Sequence, residues 1–224
     1  MLDFRTRSEA HFAAMLYSDL KSNPSMQTRF VKEVERLAGR VPGRVVDVCV
    51  EQAPFRDGWW DLDERRRRLV IDELLRRVAP HIGAGQFAWM LDSKGKLRSP
   101  ASWKSAKVKE EAPELRRLCF MFRARADILV ETTSMAVWVE LKVDSRTPTE
   151  REDTYHQPST QRDIAKLAHL MIPGLERLHP LNLLIQRKPS KTPFVATWNA
   201  VVDADLPHWK SSRLFARSGQ GTGE

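Results

Sequence analysis

Ala126-Asp127-Ile128-Leu129-Val130-Glu131 and Val137-Trp138-Val139-Glu140-Leu141-Lys142-Val143 are the two stretches on which the fold turns. Each is a β-branched, aromatic and apolar run with charged side chains set inside it, the pattern of a strand rather than a helix. Between them, Thr132-Thr133-Ser134 is a polar turn, so the centre of the chain reads as a hairpin: Phe120 to Glu131 outward, Met135 to Val143 returning. Side chains two apart on a strand share a face, about 6.6 Å apart along it. Glu140 and Lys142 therefore point one way, and Val139, Leu141 and Val143 point the other way into apolar packing. With a suitable register, Asp127 stands beside Glu140. Two carboxylates and an ammonium then gather where an apolar core begins.

Working outward, the N-terminal side reads as helical. From about Arg7 to Leu20, Phe12, Ala13, Leu16 and Leu20 form one stripe at helical spacing, with Glu9 in its middle. Asn23-Pro24 separates this helix from a second, about Ser25 to Leu37, which Gly39 can cap. Val45 to Val50 alternates as a strand, and Pro54 to Trp60 reads as a loop. Asp61 begins a further helix with Glu64 three residues on. Its arginine run, Arg65 to Arg68, covers a full turn and so reads as solvated helix surface. Gln86 to Leu91 looks like a strand followed by the turn Asp92-Ser93-Lys94-Gly95. After the hairpin come a polar stretch from Asp144 to Tyr155, a helix from about Pro158 to Met171, and strands at Leu181 to Gln186 and Phe194 to Val202. The tail, 211–224, is rich in Ser and Gly and reads as flexible. The order of elements predicts an α/β fold, a mixed sheet flanked by helices with an N-terminal elaboration, in one domain over residues 1–210.

The chain has 224 residues, 42 % of them hydrophobic and 29 % charged, enough for one sizeable core and unlike a disordered tail or a fibre. Cys49 and Cys119 make no disulfide framework and no CxxC, and read as buried thiols of a reducing compartment. No run of 18 apolar residues occurs, and Asp3, Arg5, Arg7 and Glu9 replace the apolar core of a signal peptide. The expected location is the cytoplasm, with no membrane partner. The net charge of +8 favours a polyanion. The excess is concentrated: Asp92 to Arg125 holds ten Lys and Arg against four Asp and Glu, and Lys94 to Lys109 reads as a basic loop around Trp103. Lys104, Lys107, Lys109, Arg123 and Arg125 are accordingly the candidate nucleic-acid contacts; the plain alternative is a solvated loop anchored by its tryptophan.

The chemistry of the hairpin face points the same way. Two close carboxylates repel unless a cation lies between them. Asp and Glu oxygens suit Mg²⁺, with Mn²⁺ as a substitute, and the backbone carbonyl of Leu141 can complete the inner set. A lysine beside them adds positive charge near a reacting phosphate. The competing structural readings are a sheet-face ion pair for Glu140 and Lys142 and a strand-edge carboxylate for Asp127. Asp144 shares the Glu140 face if the strand continues, and His156 follows closely enough to approach it. The six histidines show no zinc spacing, and no GxxxxGK[ST], GxGxxG or GxSxG is present. Trp59 and Trp60 beside Arg56 read either as a core plug or as a surface for stacking bases.

The spacing Asp127-x12-Glu140-x-Lys142 resembles the PD-(D/E)xK nuclease superfamily, the restriction-endonuclease-like fold, with Ala126 where that family has proline. The resemblance implies divalent metal on Asp127 and Glu140, with Lys142 assisting the nucleophilic water. It further implies an acidic metal ligand on the N-terminal helix, matched by Glu9, and a polar residue on the helix after the second strand, matched by Gln161 and, secondarily, Gln157. It covers about residues 116–186, together with residues 7–20. The implied activity is a Mg²⁺-dependent deoxyribonuclease, an endonuclease of DNA restriction, defence or repair. Its alternatives are an exonuclease, an RNA-directed nuclease, or an inactive nucleic-acid-binding protein of the same fold. A homodimer and a partner protein that confers specificity both fit this reading.

Overall fold

A computed structural model of the protein describes residues 9–142, 157–172, 174–186, 194–203 and 205–210, with only the backbone given for Glu9, Gln157, Pro158, Ser159, Gln161 and Lys210. In chain order the elements are α1 (Glu9–Ser22), α2 (Pro24–Ala38), β1 (Val45–Gln52), α3 (Pro54–Gly58), α4 (Glu64–Val78), α5 (Ser105–Glu111) and α6 (Arg116–Met121), then β2 (Ala126–Thr132), β3 (Met135–Leu141), α7 (Gln157–Leu167), β4 (His179–Gln186), β5 (Val195–Thr197), α8 (Trp198–Val201) and α9 (Pro207–Lys210). The architecture is mixed α/β: a five-stranded sheet in the order β1-β2-β3-β4-β5, flanked by helices. β2 and β3 are antiparallel and β4 and β5 parallel, which makes the sheet mixed. No helix among the described residues is long and apolar enough to cross a membrane. The tail, 211–224, together with Asp144 and His156, lies outside the described residues.

The described residues fall into two compact units. The first lies within Met1–Val50, Asp127–Thr147 and Leu181–Glu224, and the second within Glu51–Ala126 and Pro148–Pro180.

In the first unit the expected stripe of α1, Phe12, Ala13, Leu16 and Leu20, is buried in one core with Met26, Phe30 and Val34 of α2. The same core takes Ile128 and Val130 of β2, Val137, Val139 and Leu141 of β3, and Leu181, Leu183 and Ile185 of β4. One set of alternate strand side chains thus meets the helices, as a pleated strand requires. Asn23 caps α2, its Oδ1 accepting from the Ser25 and Met26 N–H groups at 3.0 and 3.3 Å, and the Gly39 N–H closes the other end on the Glu35 carbonyl at 2.9 Å. The expected strand from Phe194 to Val202 stops at Thr197. Trp198 turns inward, packing its ring against Phe12 and Trp209 with centroids 5.9 and 5.7 Å away, and α8 begins there.

The second unit carries α3 to α7. Helix α4 starts at Glu64 rather than Asp61, because Asp63 is the residue whose carboxylate takes the Arg66 N–H, at 2.7 Å. Pro54 to Trp60 is not a loop: α3 and a 3-10 turn at Trp59–Asp61 form there, with Phe55 and Trp59 buried against Phe122. Phe120 likewise belongs to α6, which buries Leu118, Cys119 and Met121, so the outward strand starts only at Ala126. Gln86 to Leu91 is not a strand. Ala88–Met90 is a 3-10 turn in which Phe87 stacks on Trp89, and Leu91 pairs only with Leu97 in an isolated bridge. Asp92 does form the expected turn, taking the N–H groups of Lys94 and Lys96 at 2.8 and 2.9 Å. The end of the expected basic loop, Ser105 to Lys109, belongs to the helix α5, and Trp103 just before it is buried.

The hairpin turn is fastened to the segment that leads into β1. The Thr132 hydroxyl donates to the Pro42 carbonyl at 2.6 Å and accepts from the Met135 N–H at 2.9 Å, while the Thr133 N–H donates to the Arg44 carbonyl at 3.0 Å. Gly43 lies between these contacts at φ +77°, and a Cβ there would overlap Thr133 Oγ1. Gly43→Ala should therefore destabilise the protein by at least about 2 kcal/mol, the left-handed backbone alone costing roughly 1–2 kcal/mol for a residue with a Cβ. Urea unfolding followed by circular dichroism measures this, and an unchanged midpoint would refute the packing of the turn.

Candidate active site

The β2–β3 ladder pairs Ile128 with Val139 and Leu129 with Trp138. One step further along the same ladder sets Asp127 across from Glu140. This is the register that sets Asp127 beside Glu140, and Asp127, Glu140 and Lys142 share the face opposite Val139 and Leu141. All seven residues of β3 are buried, Glu140 among them at 8 % exposure. Asp127 is half-buried.

Each of the three is fixed by a specific contact. Lys142 Nζ lies 2.7 Å from Glu140 Oε1, with the two side chains 20 % and 11 % exposed. Asp127 Oδ2 accepts the Leu141 N–H at 2.7 Å, so a side chain on β2 ties down the end of β3. The backbone of Lys142 is held at both groups: its N–H donates to the Ile185 carbonyl at 2.8 Å, and its carbonyl accepts from Trp198 Nε1 at 3.2 Å. A charge-assisted hydrogen bond this far from water is stronger than the same pair at the surface, and removing either partner is correspondingly costly.

The expected Mg²⁺ centre, with Mn²⁺ as its substitute, is corrected by this geometry. Among the described residues no group of three or more His, Cys, Asp and Glu side chains comes together that could hold a metal ion. The physical reason is the way the charge is balanced. The positive charge assigned to a cation is supplied to Glu140 by the Lys142 ammonium, and Asp127 spends an oxygen on a backbone N–H. Of the expected ligands, Asp127 and Glu140 are brought together, while Leu141 turns its N–H to Asp127. Glu9 begins α1 and Gln161 lies within α7, but their side chains, like that of Gln157, lie outside the described residues.

The expected nucleic-acid contacts divide. Lys104 and Lys109 are exposed. Lys107 pairs along α5 with Glu110 and Glu111 at 3.1 and 3.2 Å. Arg123 reaches inward, its Nε donating to the Ala101 carbonyl at 3.0 Å, and Arg125 pairs with Glu51 at 3.3 Å. Three of the five thus have partners within the second unit. The two tryptophans read as a pair are split, Trp59 at 1 % exposure and Trp60 at 69 %. Adjacent identical residues carry no sequence signal for that difference.

Neither cysteine is a ready nucleophile. Burial pushes the Cys119 thiol up to about 11, and burial followed by the Asp47 charge raises that of Cys49. No family model, no curated protein and no solved structure matches the chain.

A double-mutant cycle tests the central pair. Glu140→Gln and Lys142→Met should each destabilise the protein, and the double variant should cost less than their sum by about 1–3 kcal/mol, the range for contacting charged residues. Strict additivity in urea unfolding would show that the contact contributes no coupling.

Proposed function

We propose that the protein is a nuclease, hydrolysing phosphodiester bonds of DNA on a restriction-endonuclease-like sheet, with Asp127, Glu140 and Lys142 as its working residues. The observation that supports this reading is the convergence of those three side chains on one face of a buried hairpin. A buried ion pair is commonly no more stabilising than apolar residues of the same volume, so its place in a core strand calls for a purpose other than stability.

The described donors do not form a cation-holding set, so the chemistry is drawn through side chains. A water beside Glu140 attacks phosphorus and gives its proton to the carboxylate. The bond to the leaving ester oxygen breaks, and that oxygen takes a proton from solvent. The Lys142 ammonium faces the negative charge that grows on the phosphoryl oxygens, where a fixed positive charge out of bulk water acts most strongly. Asp127 is a positioning residue in this scheme: through the Leu141 N–H it holds the end of β3, and so the spacing of Glu140 and Lys142.

One observation favours a second reading, a nucleic-acid-binding protein that does not cut. The Lys142 charge is already balanced by Glu140, and no third described carboxylate joins the cluster.

Cleavage and binding assays separate the two. Initial rates are measured on supercoiled, linear and single-stranded DNA and on RNA, beside mobility shifts of the same substrates. The nuclease reading expects Glu140→Gln and Lys142→Ala to lower cleavage at least about a hundredfold, the usual cost of a well-placed electrostatic contributor. Binding should change by less than about threefold, because phosphate contacts over a wider surface supply it. Undiminished cleavage by both variants would sink the assigned site. Binding without cleavage of any substrate by the parent protein would leave the second reading standing.

A further inference from the structure

Trp60 is the most exposed of the seven tryptophans, with Trp89 half-buried and the other five buried. Trp59, Trp103, Trp138, Trp198 and Trp209 are at most 2 % exposed, whereas Trp60 is 69 % exposed. It is not loose. The Arg67 guanidinium lies 5.3 Å from the ring centre of Trp59 and 5.8 Å from that of Trp60. The same guanidinium donates to the carbonyls of Trp59 at 3.2 Å and Trp60 at 3.5 Å. One guanidinium thus lies near both rings, with Trp59 seated in the core and Trp60 exposed to solvent. An exposed indole offers a large apolar ring with only two side-chain torsions to fix on contact.

The charges around it complete the pattern. On α4, Arg76 and Arg77 both pair with Glu73, and Arg68 reaches the Ala84 carbonyl and Glu64. Arg65 and Arg66 are exposed, and neither forms an ion pair among the described residues. The neighbouring acids are largely committed: Asp63 caps the helix and Glu64 accepts the Leu97 N–H, which leaves Asp61 as an exposed carboxylate of this segment. An exposed indole beside the Arg67 guanidinium, followed by a helix whose first turn exposes Arg65 and Arg66, suits a polyanion that carries aromatic faces.

We propose that Trp60, with Arg65 and Arg66, is a stacking platform for single-stranded nucleic acid on the second unit. The choice of a single strand follows from the ring. A base in a duplex is stacked on both faces, and only an unpaired base offers a face to an indole. Arg65 and Arg66 meet the flanking phosphates. The proposal rests on the nucleic-acid reading above and adds to it the class of substrate the surface accepts.

The test uses the full chain and fluorescein-labelled phosphorothioate strands, which keep their charge and resist hydrolysis. Anisotropy compares a 20-nucleotide oligothymidylate, an abasic strand of equal length, and a duplex. Trp60→Ala should weaken oligothymidylate binding about 10- to 100-fold, the range for one lost base–aromatic stack. Trp60→Phe should restore it to within about threefold, which a merely misfolded variant would not do. The abasic strand should bind the parent as weakly as oligothymidylate binds Trp60→Ala. Replacing Arg65 and Arg66 together by Gln should lower the salt slope by about 1.4, roughly 0.7 for each phosphate contact on a single strand. Parental affinity in Trp60→Ala, or equal binding of the abasic and thymidylate strands, would overturn the platform. A parent that cleaves nothing but binds single strands through Trp60 would overturn the nuclease reading and leave the platform standing. Cleavage with Trp60-independent binding would do the reverse.

Discussion

The period of two along β3 is the constraint from which the rest follows. Val137, Val139 and Leu141 turn to the helices α1 and α2, and Trp138 and Glu140 turn away. A shift of one residue would exchange the two sets, placing a carboxylate in the helix-packed core and the aliphatic side chains on the opposite face. Apolar burial on one side therefore fixes the position of the charged residues on the other. The Asp127–Leu141 hydrogen bond and the fastening of Thr132 and Thr133 to Pro42 and Arg44 hold both ends of the hairpin in that register.

What was legible in the sequence were features whose cause is local. The hairpin, its Thr132-Thr133-Ser134 turn, the α1 stripe and the Asn23 and Gly39 boundaries all follow from periodicity and capping chemistry. The failures have tertiary causes. Trp198 and Val201 have strand-forming side chains, yet Trp198 is drawn inward by Phe12, Trp209 and the Lys142 carbonyl, and a helix forms. Phe120 sits in a run that reads as strand, but the burial of Leu118, Cys119 and Met121 makes that run helical. Aromatic and β-branched propensity is a weak prior where packing decides.

The geometry of the candidate site was legible in part. Spacing sets Glu140 and Lys142 on one face, and the hairpin register then brings Asp127 to them. The charge balance among them was not legible. Two carboxylates suggested a cation between them, and the structure instead sets the Lys142 ammonium on Glu140. The basic segment misled for a related reason: counting Lys and Arg does not separate Lys107 and Arg123, committed to internal partners, from Arg65 and Arg66, which sit in a helix that looked merely solvated.

The central claim is that the Lys142 ammonium meets a phosphodiester. The direct measurement is the ¹⁵N resonance of Lys142 Nζ in lysine-labelled protein, assigned by its loss in Lys142→Arg and followed during titration with a phosphorothioate DNA strand. The account predicts a saturable shift of that resonance at the concentrations at which the strand binds. A Lys142 signal that stays in place while the strand saturates the protein would contradict it.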